Sequence, residues 1–238
     1  AEHTRITHRG SVLLLPGLLW GCGGGRGVGP EELLKQEQKL RDRLPIDWGN
    51  YSNGDYDGTI EFFTNTLEKA ETYEGPEAIL NEIKSEAHNG IGWAFFRKQS
   101  LEAASSAFQQ ATTLNRRNAD AWVGYAGVAL ARRLFNDAIQ YANQALSVDS
   151  EYVSSFRVDD AERQLGHDNF DTRHVRMILA ESYFQLGRYS ALDRPDPSNA
   201  SAQLRMIDED FAFRDPGQLL QEMSQLSIEL QAEQGSGF

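Results

Sequence analysis

The feature that most constrains the fold of this chain is an internal repeat of 34 residues. Residues 85–118 and 119–152 align in kind when the sequence is shifted by 34 positions. Small residues coincide with small ones and large apolar residues with large apolar ones: Gly92 with Ala126, Leu101 with Phe135, Ala104 with Ala138, Ala111 with Ala145. The apolar spacing in both segments is helical. A period of this length predicts stacked helical hairpins, because each hairpin buries its apolar face only against its neighbours.

The two segments resemble the tetratricopeptide repeat. Residues 119–152 carry the signature positions of that family as Trp122, Tyr125, Ala126, Ala138 and Ala145. Residues 85–118 carry Gly92, Ala104, Phe108 and Ala111, with His88 where the family prefers Trp, and neither segment has the usual proline near its end. The resemblance implies an all-α fold, a right-handed α-solenoid of helical hairpins.

Weaker units flank the two clear repeats, at about 45–72 and 173–192. Equivalent positions of the first weak unit and the first clear repeat are 45 residues apart, and those of the second clear repeat and the last weak unit are 54 apart. Both spacings exceed the repeat length of 34, so we expect insertions near 71–84 and 151–171. The first insertion is expected to extend a helix that starts near Pro76, and the second to form a protruding loop. The sequence of residues 216–231 predicts an amphipathic helix at the end of the solenoid. We expect this helix to cap the solenoid, because terminal repeats must cover an open apolar face.

The first 29 residues have a different character from the rest of the chain. Arg5 and Arg9 precede the apolar run 12–20, which is too short to span a bilayer as a helix. A basic start, a short apolar run and small residues are typical of a secretory signal peptide. The only cysteine, Cys22, follows directly, and six glycines lie between positions 21 and 29. Such a glycine-rich segment behaves as a flexible tether.

The string from Leu19 to Cys22 resembles the lipobox of bacterial lipoproteins, although Trp20 departs from the pattern. The resemblance implies a signal peptide at 1–21, a lipidated (palmitate-carrying) Cys22 with a tether to residue 29, and a helical domain over 30–238. It also implies a membrane-anchored lipoprotein of the bacterial envelope that faces the periplasm, with the outer membrane favoured. The alternative interpretation is a buried apolar segment with an ordinary core thiol.

Charge and composition exclude several classes of function. The formal net charge of −12 disfavours a nucleic-acid partner, since such proteins need clustered Lys and Arg. One cysteine and five scattered histidines offer no zinc site, and we expect no metal, cofactor or catalytic residues. Residues 53–58 resemble the start of a calcium loop, but Thr64 stands where the bidentate Glu belongs, which favours an ordinary helical turn.

The resemblance to tetratricopeptide repeats implies a concave groove lined by the first helix of each hairpin. The positions that face this groove in the family fall here on the following residues: Trp48, Tyr51, Asn89, Trp93, Phe96, Arg97, Val123, Leu130, Met177, Glu181, Phe184. Aromatic residues with an Arg are typical of binding hot spots. The alternative for Trp93 and Phe96 is burial under the 151–171 insertion or the N-terminal helix.

These features predict a lipid-anchored, non-enzymatic adaptor or scaffold. It would bind a protein or peptide of unknown identity in the groove, in envelope assembly, and contact the membrane through its lipid only. The alternative is a glycan-binding surface lipoprotein of a nutrient-uptake system. That function needs two or three coplanar exposed aromatics, which Trp48, Tyr51 and Trp93 could supply.

Overall fold

A computed structural model describes residues 28–154, 156–157, 164–165, 170–190, 197–212 and 215–235 of the chain. These residues form ten helices and one two-stranded hairpin: α1 (Pro30–Arg41), α2 (Leu44–Ser52), α3 (Tyr56–Ala70), α4 (Glu77–Arg97), α5 (Leu101–Leu114), α6 (Ala119–Ala131), α7 (Phe135–Val148), β1 (Phe156–Arg157), β2 (Gln164–Leu165), α8 (Thr172–Gln185), α9 (Ala200–Arg205), α10 (Pro216–Gly235). The predicted signal segment and Cys22 lie outside the described residues.

The helices pair into hairpins that stack in chain order. The pairs are α2 with α3, α4 with α5, α6 with α7, and α8 with α9. The first helices also contact one another in sequence, α2 with α4, α4 with α6, α6 with α8, and α8 with α10. We call α2, α4, α6 and α8 the inner layer. The chain is thus an all-α solenoid of tetratricopeptide-type hairpins, as the repeat predicts.

The turn inside each hairpin has the same geometry in all four units. One residue adopts a left-handed conformation, with φ of 79° at Gly54, 59° at Gln99, 61° at Arg133 and 73° at Gly187. The next residue donates its backbone N–H to a carbonyl five positions back, for example Ser100 to Phe95 at 2.9 Å. This bond satisfies a carbonyl at the end of the first helix. These four residues are separated by 45, 34 and 54 positions, which are the offsets expected for the two weaker units.

Close helix packing centres on Phe108 of α5. A Cβ atom on Gly92 of α4 would lie 2.7 Å from its ring, and one on Gly124 of α6 would lie 2.2 Å away. Both glycines therefore allow two first helices to approach the same buried aromatic ring. Ala104 and Ala138, at the crossings within their hairpins, are fully buried.

The two insertions differ in form. The helix α4 begins directly after Pro76 and is 21 residues long, which is the extension that the sequence predicts. In the described part of residues 151–171, β2 lies beside α2 and the base is tied to the solenoid, while the rest of the predicted loop (155, 158–163 and 166–169) lies outside the described residues. At that base, Ser154 donates its N–H to the Phe170 carbonyl at 2.7 Å, and Thr172 donates to the Tyr152 carbonyl at 2.9 Å.

The end helices cover the two ends of the stack. At the N-terminal end α1 packs against α2, α3 and α4, and at the other end α10 packs against α8. The helix α10 buries Leu219, Met223 and Leu230, consistent with the predicted capping role. Among the described helices, none combines the length and the apolar character that crossing a membrane requires.

Candidate functional site

A cavity of about 640 Å³ opens between α4, α6 and α8 of the inner layer. Residues from those helices line it, together with one residue each of the α6–α7 turn, the insertion base, α7 and α10: Trp93, Phe96, Val123, Gly127, Leu130, Ala131, Arg133, Phe135, Phe170, Ile178, Glu181, Gln185, Gln231. Pockets that bind small ligands or side chains span about 300–1,000 Å³. This cavity has the size of a binding pocket.

One of the residues that line the cavity is a glycine, Gly127. In the repeat register Trp93, Gly127 and Glu181 take the same place on successive inner helices. Gly127 has no side chain to fill the space between its two neighbours. A Cβ atom at this position would have one contact within 4 Å to the part of the chain that the structure describes, at 3.7 Å to Cζ of Phe96. The space above Gly127 is therefore free for a ligand group.

The floor and walls of the cavity are apolar. Val123 and Ile178 are buried at its base, and Phe96 and Leu130 are half-buried on its walls. Such a surface favours an apolar ligand group, since each Å² of apolar area removed from water contributes about 25 cal/mol.

The rim is polar, formed by Arg133, Glu181, Gln185 and Gln231. Although Glu181 reaches solvent, desolvation by the surrounding protein raises the pKa of its carboxyl group. Polar groups of this kind fix the orientation of a ligand whose apolar part is buried.

The sequence comparison agrees with this architecture. A family described as tetratricopeptide repeat matches residues 85–118. The chain contains a tetratricopeptide repeat. The match has the boundaries that the internal repeat predicts, and it spans the second half of α4, all of α5 and the turn that follows.

Solved structures of tetratricopeptide proteins resemble the chain at low identity. The kinesin light chain repeats of Podospora anserina are 12% identical, with 84% of this chain and 97% of that chain covered and a TM-score of 0.49. A thermophilic tetratricopeptide protein of Thermus thermophilus is 18% identical, with 83% and 97% covered and a TM-score of 0.35. A tetratricopeptide domain of yeast Sti1, solved in a complex with pHSP90, is 17% identical, with 82% and 71% covered and a TM-score of 0.39. No curated protein matches the sequence.

The structure divides the predicted groove residues of the tetratricopeptide solenoid into three groups. Five of them line the cavity: Trp93, Phe96, Val123, Leu130, Glu181. Three others are buried elsewhere in the solenoid: Trp48, Tyr51, Asn89. The remaining three are not among the residues that line the cavity: Arg97, Met177, Phe184.

The prediction that Trp48, Tyr51 and Asn89 face an open groove is wrong. Their exposed fractions are 1%, 3% and 0%. The ring of Trp48 packs edge-on against Phe63 at 5.3 Å, and its Nε1 donates to Glu86 at 2.8 Å. The backbone of β2 lies beside the same helix, α2. These contacts make the N-terminal part of the inner layer a packed core.

Trp93 stands at the boundary between the packed core and the cavity. Only 2% of its surface is exposed, and its ring lies 5.5 Å from Phe108 and 5.4 Å from Phe170. Its Nε1 donates to Asp120 at 3.0 Å, and Tyr152 at the insertion base donates its hydroxyl proton to the same carboxylate. The structure thus shows Trp93 buried beneath the insertion base, which is the alternative to groove exposure that the sequence left open.

Arg97, Met177 and Phe184 do not line the cavity. The Arg97 Nε donates to the Tyr56 hydroxyl at 3.2 Å, and its guanidinium lies 5.9 Å from the centre of that ring. Met177 is half-buried, and Phe184 packs against Tyr189 at 5.1 Å. Arg97 therefore contributes to the contact between neighbouring hairpins.

The sequence reasoning missed several lining residues. Ile178 and Gln185 share a helix face with Glu181, three positions before and four positions after it, so helical spacing could have identified them. Phe170 and Gln231 come from the insertion and from α10, and no repeat register places those segments.

The turn that resembles a calcium loop serves helix capping. The Asp55 carboxylate accepts the Gly58 backbone N–H at 2.9 Å, which caps the start of α3. Gly54 supplies the left-handed residue of the same turn. The carboxylate thus has a structural partner in the helix backbone.

Proposed function

We propose that the protein is a lipid-anchored adaptor that holds a segment of another protein in the cavity between α4, α6 and α8. The observation that carries this proposal is the cavity itself, an apolar space over Gly127 with a polar rim. An apolar side chain of the partner would enter the cavity, while the neighbouring backbone contacts the rim. Recognition of this kind needs no chemistry from the protein, only a preformed pocket.

The glycan-binding alternative has less support. It depends on exposed, coplanar rings, and the three aromatics that could have supplied them are at most 3% exposed. A sugar platform needs an accessible ring face, which Trp48, Tyr51 and Trp93 do not offer. The apolar cavity suits a protein side chain better than a polyhydroxylated ligand, whose hydroxyl groups would lose their hydrogen bonds with water there.

The anchor is the second part of the proposal. The basic start, the short apolar run and Cys22 support lipidation, which would place the solenoid at the surface of a bacterial envelope membrane. We favour the outer membrane, facing the periplasm, and a role in envelope assembly.

The variant Cys22→Ser tests the anchor. We expect the variant to leave the membrane fraction and appear in the soluble one, with an unchanged melting temperature of the solenoid. Fractionation of cells that express each form measures this. Membrane association of the variant that resists high salt would contradict lipidation at this residue.

Photo-crosslinking tests the binding site. A benzophenone amino acid replaces Gln185 on the cavity rim, and a matched control replaces Gln140, an exposed glutamine on α7. We expect a crosslinked protein partner from position 185 and not from position 140. Equal crosslinking from both positions, or from position 140 alone, would contradict the assignment of the cavity.

A further inference from the structure

We propose that the segment bound in the cavity carries a cationic group next to its apolar anchor, and that the Glu181 carboxylate binds this cation. The inference rests on the proposed function and adds the chemistry of the ligand. It follows from the position of Glu181, from its surroundings and from the charge of the chain.

Glu181 is placed to meet a ligand that occupies the cavity. It lies on α8 between Ile178, on the cavity floor, and Gln185, on its rim. Residues three and four positions apart share one face of a helix, so these three side chains form a continuous strip from the floor to the solvent. A ligand whose apolar group reaches Ile178 therefore comes close to the carboxylate.

The carboxylate lacks a partner within the described part of the protein. No hydrogen bond or ion pair joins it to a described residue, and Arg133, the cation on the rim, does not pair with it. The only cause of the raised pKa of Glu181 is desolvation, with no positive charge that offsets it. Glu181 has therefore lost part of its hydration without an ion pair in return, and a ligand cation would restore that interaction.

The surroundings of Glu181 favour a cation over an anion. Of the other rim residues, Gln185 and Gln231 are uncharged and Arg133 makes no ion pair with Glu181, and the chain has a formal net charge of −12. A ligand carboxylate at this position would meet like charge, while a Lys or Arg side chain or an amino terminus would meet opposite charge.

A random 12-residue peptide library displayed on phage tests the inference. Selection uses the purified solenoid, the plugged variant Gly127→Phe and the variant Glu181→Gln. We expect the wild type to select peptides with Lys or Arg within two positions of a large apolar residue. These peptides should fail to bind Gly127→Phe, and the basic residue should not be enriched on Glu181→Gln.

Synthetic forms of a selected peptide then measure the contribution of the cation. Replacement of its basic residue by Gln should weaken binding to the wild type about tenfold, as expected for a hydrogen bond between charged groups. The same replacement should change binding to Glu181→Gln less than twofold. Melting temperatures establish that both variants are folded.

The outcomes separate the inference from the proposed function. Peptides that depend on Gly127 but show no basic enrichment, or show acidic enrichment that Arg133→Gln abolishes, would overturn the inference and leave the proposed function standing. A library that yields no peptide sensitive to Gly127→Phe would contradict the proposed function and this inference together.

Discussion

The two halves of the inner layer differ in the accessibility of equivalent repeat positions. In the N-terminal half, which we call the closed half, Trp48, Tyr51 and Asn89 are buried. In the C-terminal half, the open half, Phe96, Leu130 and Glu181 line a cavity of about 640 Å³. The difference comes from what lies across the layer and from residue size. The repeat register defines a face, but only the surrounding segments decide whether that face is accessible.

In the closed half, packed aromatic rings fill the space that an accessible groove would need. The ring of Phe63 reaches α4 at Gly90, where a Cβ atom would lie 2.1 Å from Phe63 Cε2. Trp48 then packs edge-on against both Phe63 and Tyr51, at 5.3 and 5.6 Å. Aromatic pairs of this kind add about 0.5–1.5 kcal/mol each beyond the area they bury. The closed half therefore stabilises the solenoid rather than presenting a surface.

Trp48→Ala in the closed half should cause the largest loss of stability. Trp48 is 1% exposed, and removal of a buried Trp side chain costs about 3–5 kcal/mol. Urea denaturation followed by circular dichroism measures the free energy of unfolding. A loss below about 1 kcal/mol would mean that Trp48 is exposed in solution and that the closed half is open.

Gly124→Ala should destabilise the protein by about 1–3 kcal/mol through overpacking. The new Cβ atom would lie 2.2 Å from Cζ of Phe108, which is enclosed between α4 and α6. Double substitution with Phe108→Leu provides the control, because a smaller side chain at position 108 should recover part of the loss. If Gly124→Ala alone, with Phe108 intact, leaves the free energy of unfolding unchanged, then α5 and α6 do not approach this closely.

Gly127→Ala, three residues further along the same helix, should act in the opposite direction. Among the described residues its Cβ atom would contact only Phe96, at 3.7 Å, and Ala stabilises a helix interior by about 0.5–1 kcal/mol relative to Gly. The same denaturation experiment measures the gain. Destabilisation would indicate that the space over Gly127 is filled, which would remove the distinction between the two halves.

Much of the fold follows from the sequence because small and large residues recur at helix crossings. The helices and the left-handed turn residues agree with the two clear hairpins, with the offsets of the weaker units and with the start of α4 after Pro76. The turns at Gln99 and Arg133 show that the repeat enforces this geometry even without glycine.

The candidate site is harder to predict, because repeat positions do not reveal which segments cover them. Trp93 occupies a groove position, yet Phe170 from the insertion base covers its ring. The hydrogen bond from Tyr152 to Asp120 fixes that base on α6, and it joins residues 32 positions apart that belong to no common motif. The contribution of Gln231 to the rim likewise depends on how α10 returns to α8.

We expect the open half to bind the partner and the closed half not to bind it. Isothermal titration of the crosslinked partner, once purified, against the wild type, Gly127→Phe and Gly127→Ala tests this claim most directly. A Phe side chain would occupy the cavity, so we expect at least a tenfold loss of affinity for Gly127→Phe and less than a twofold change for Gly127→Ala, with both variants folded. Wild-type affinity of Gly127→Phe would contradict the claim.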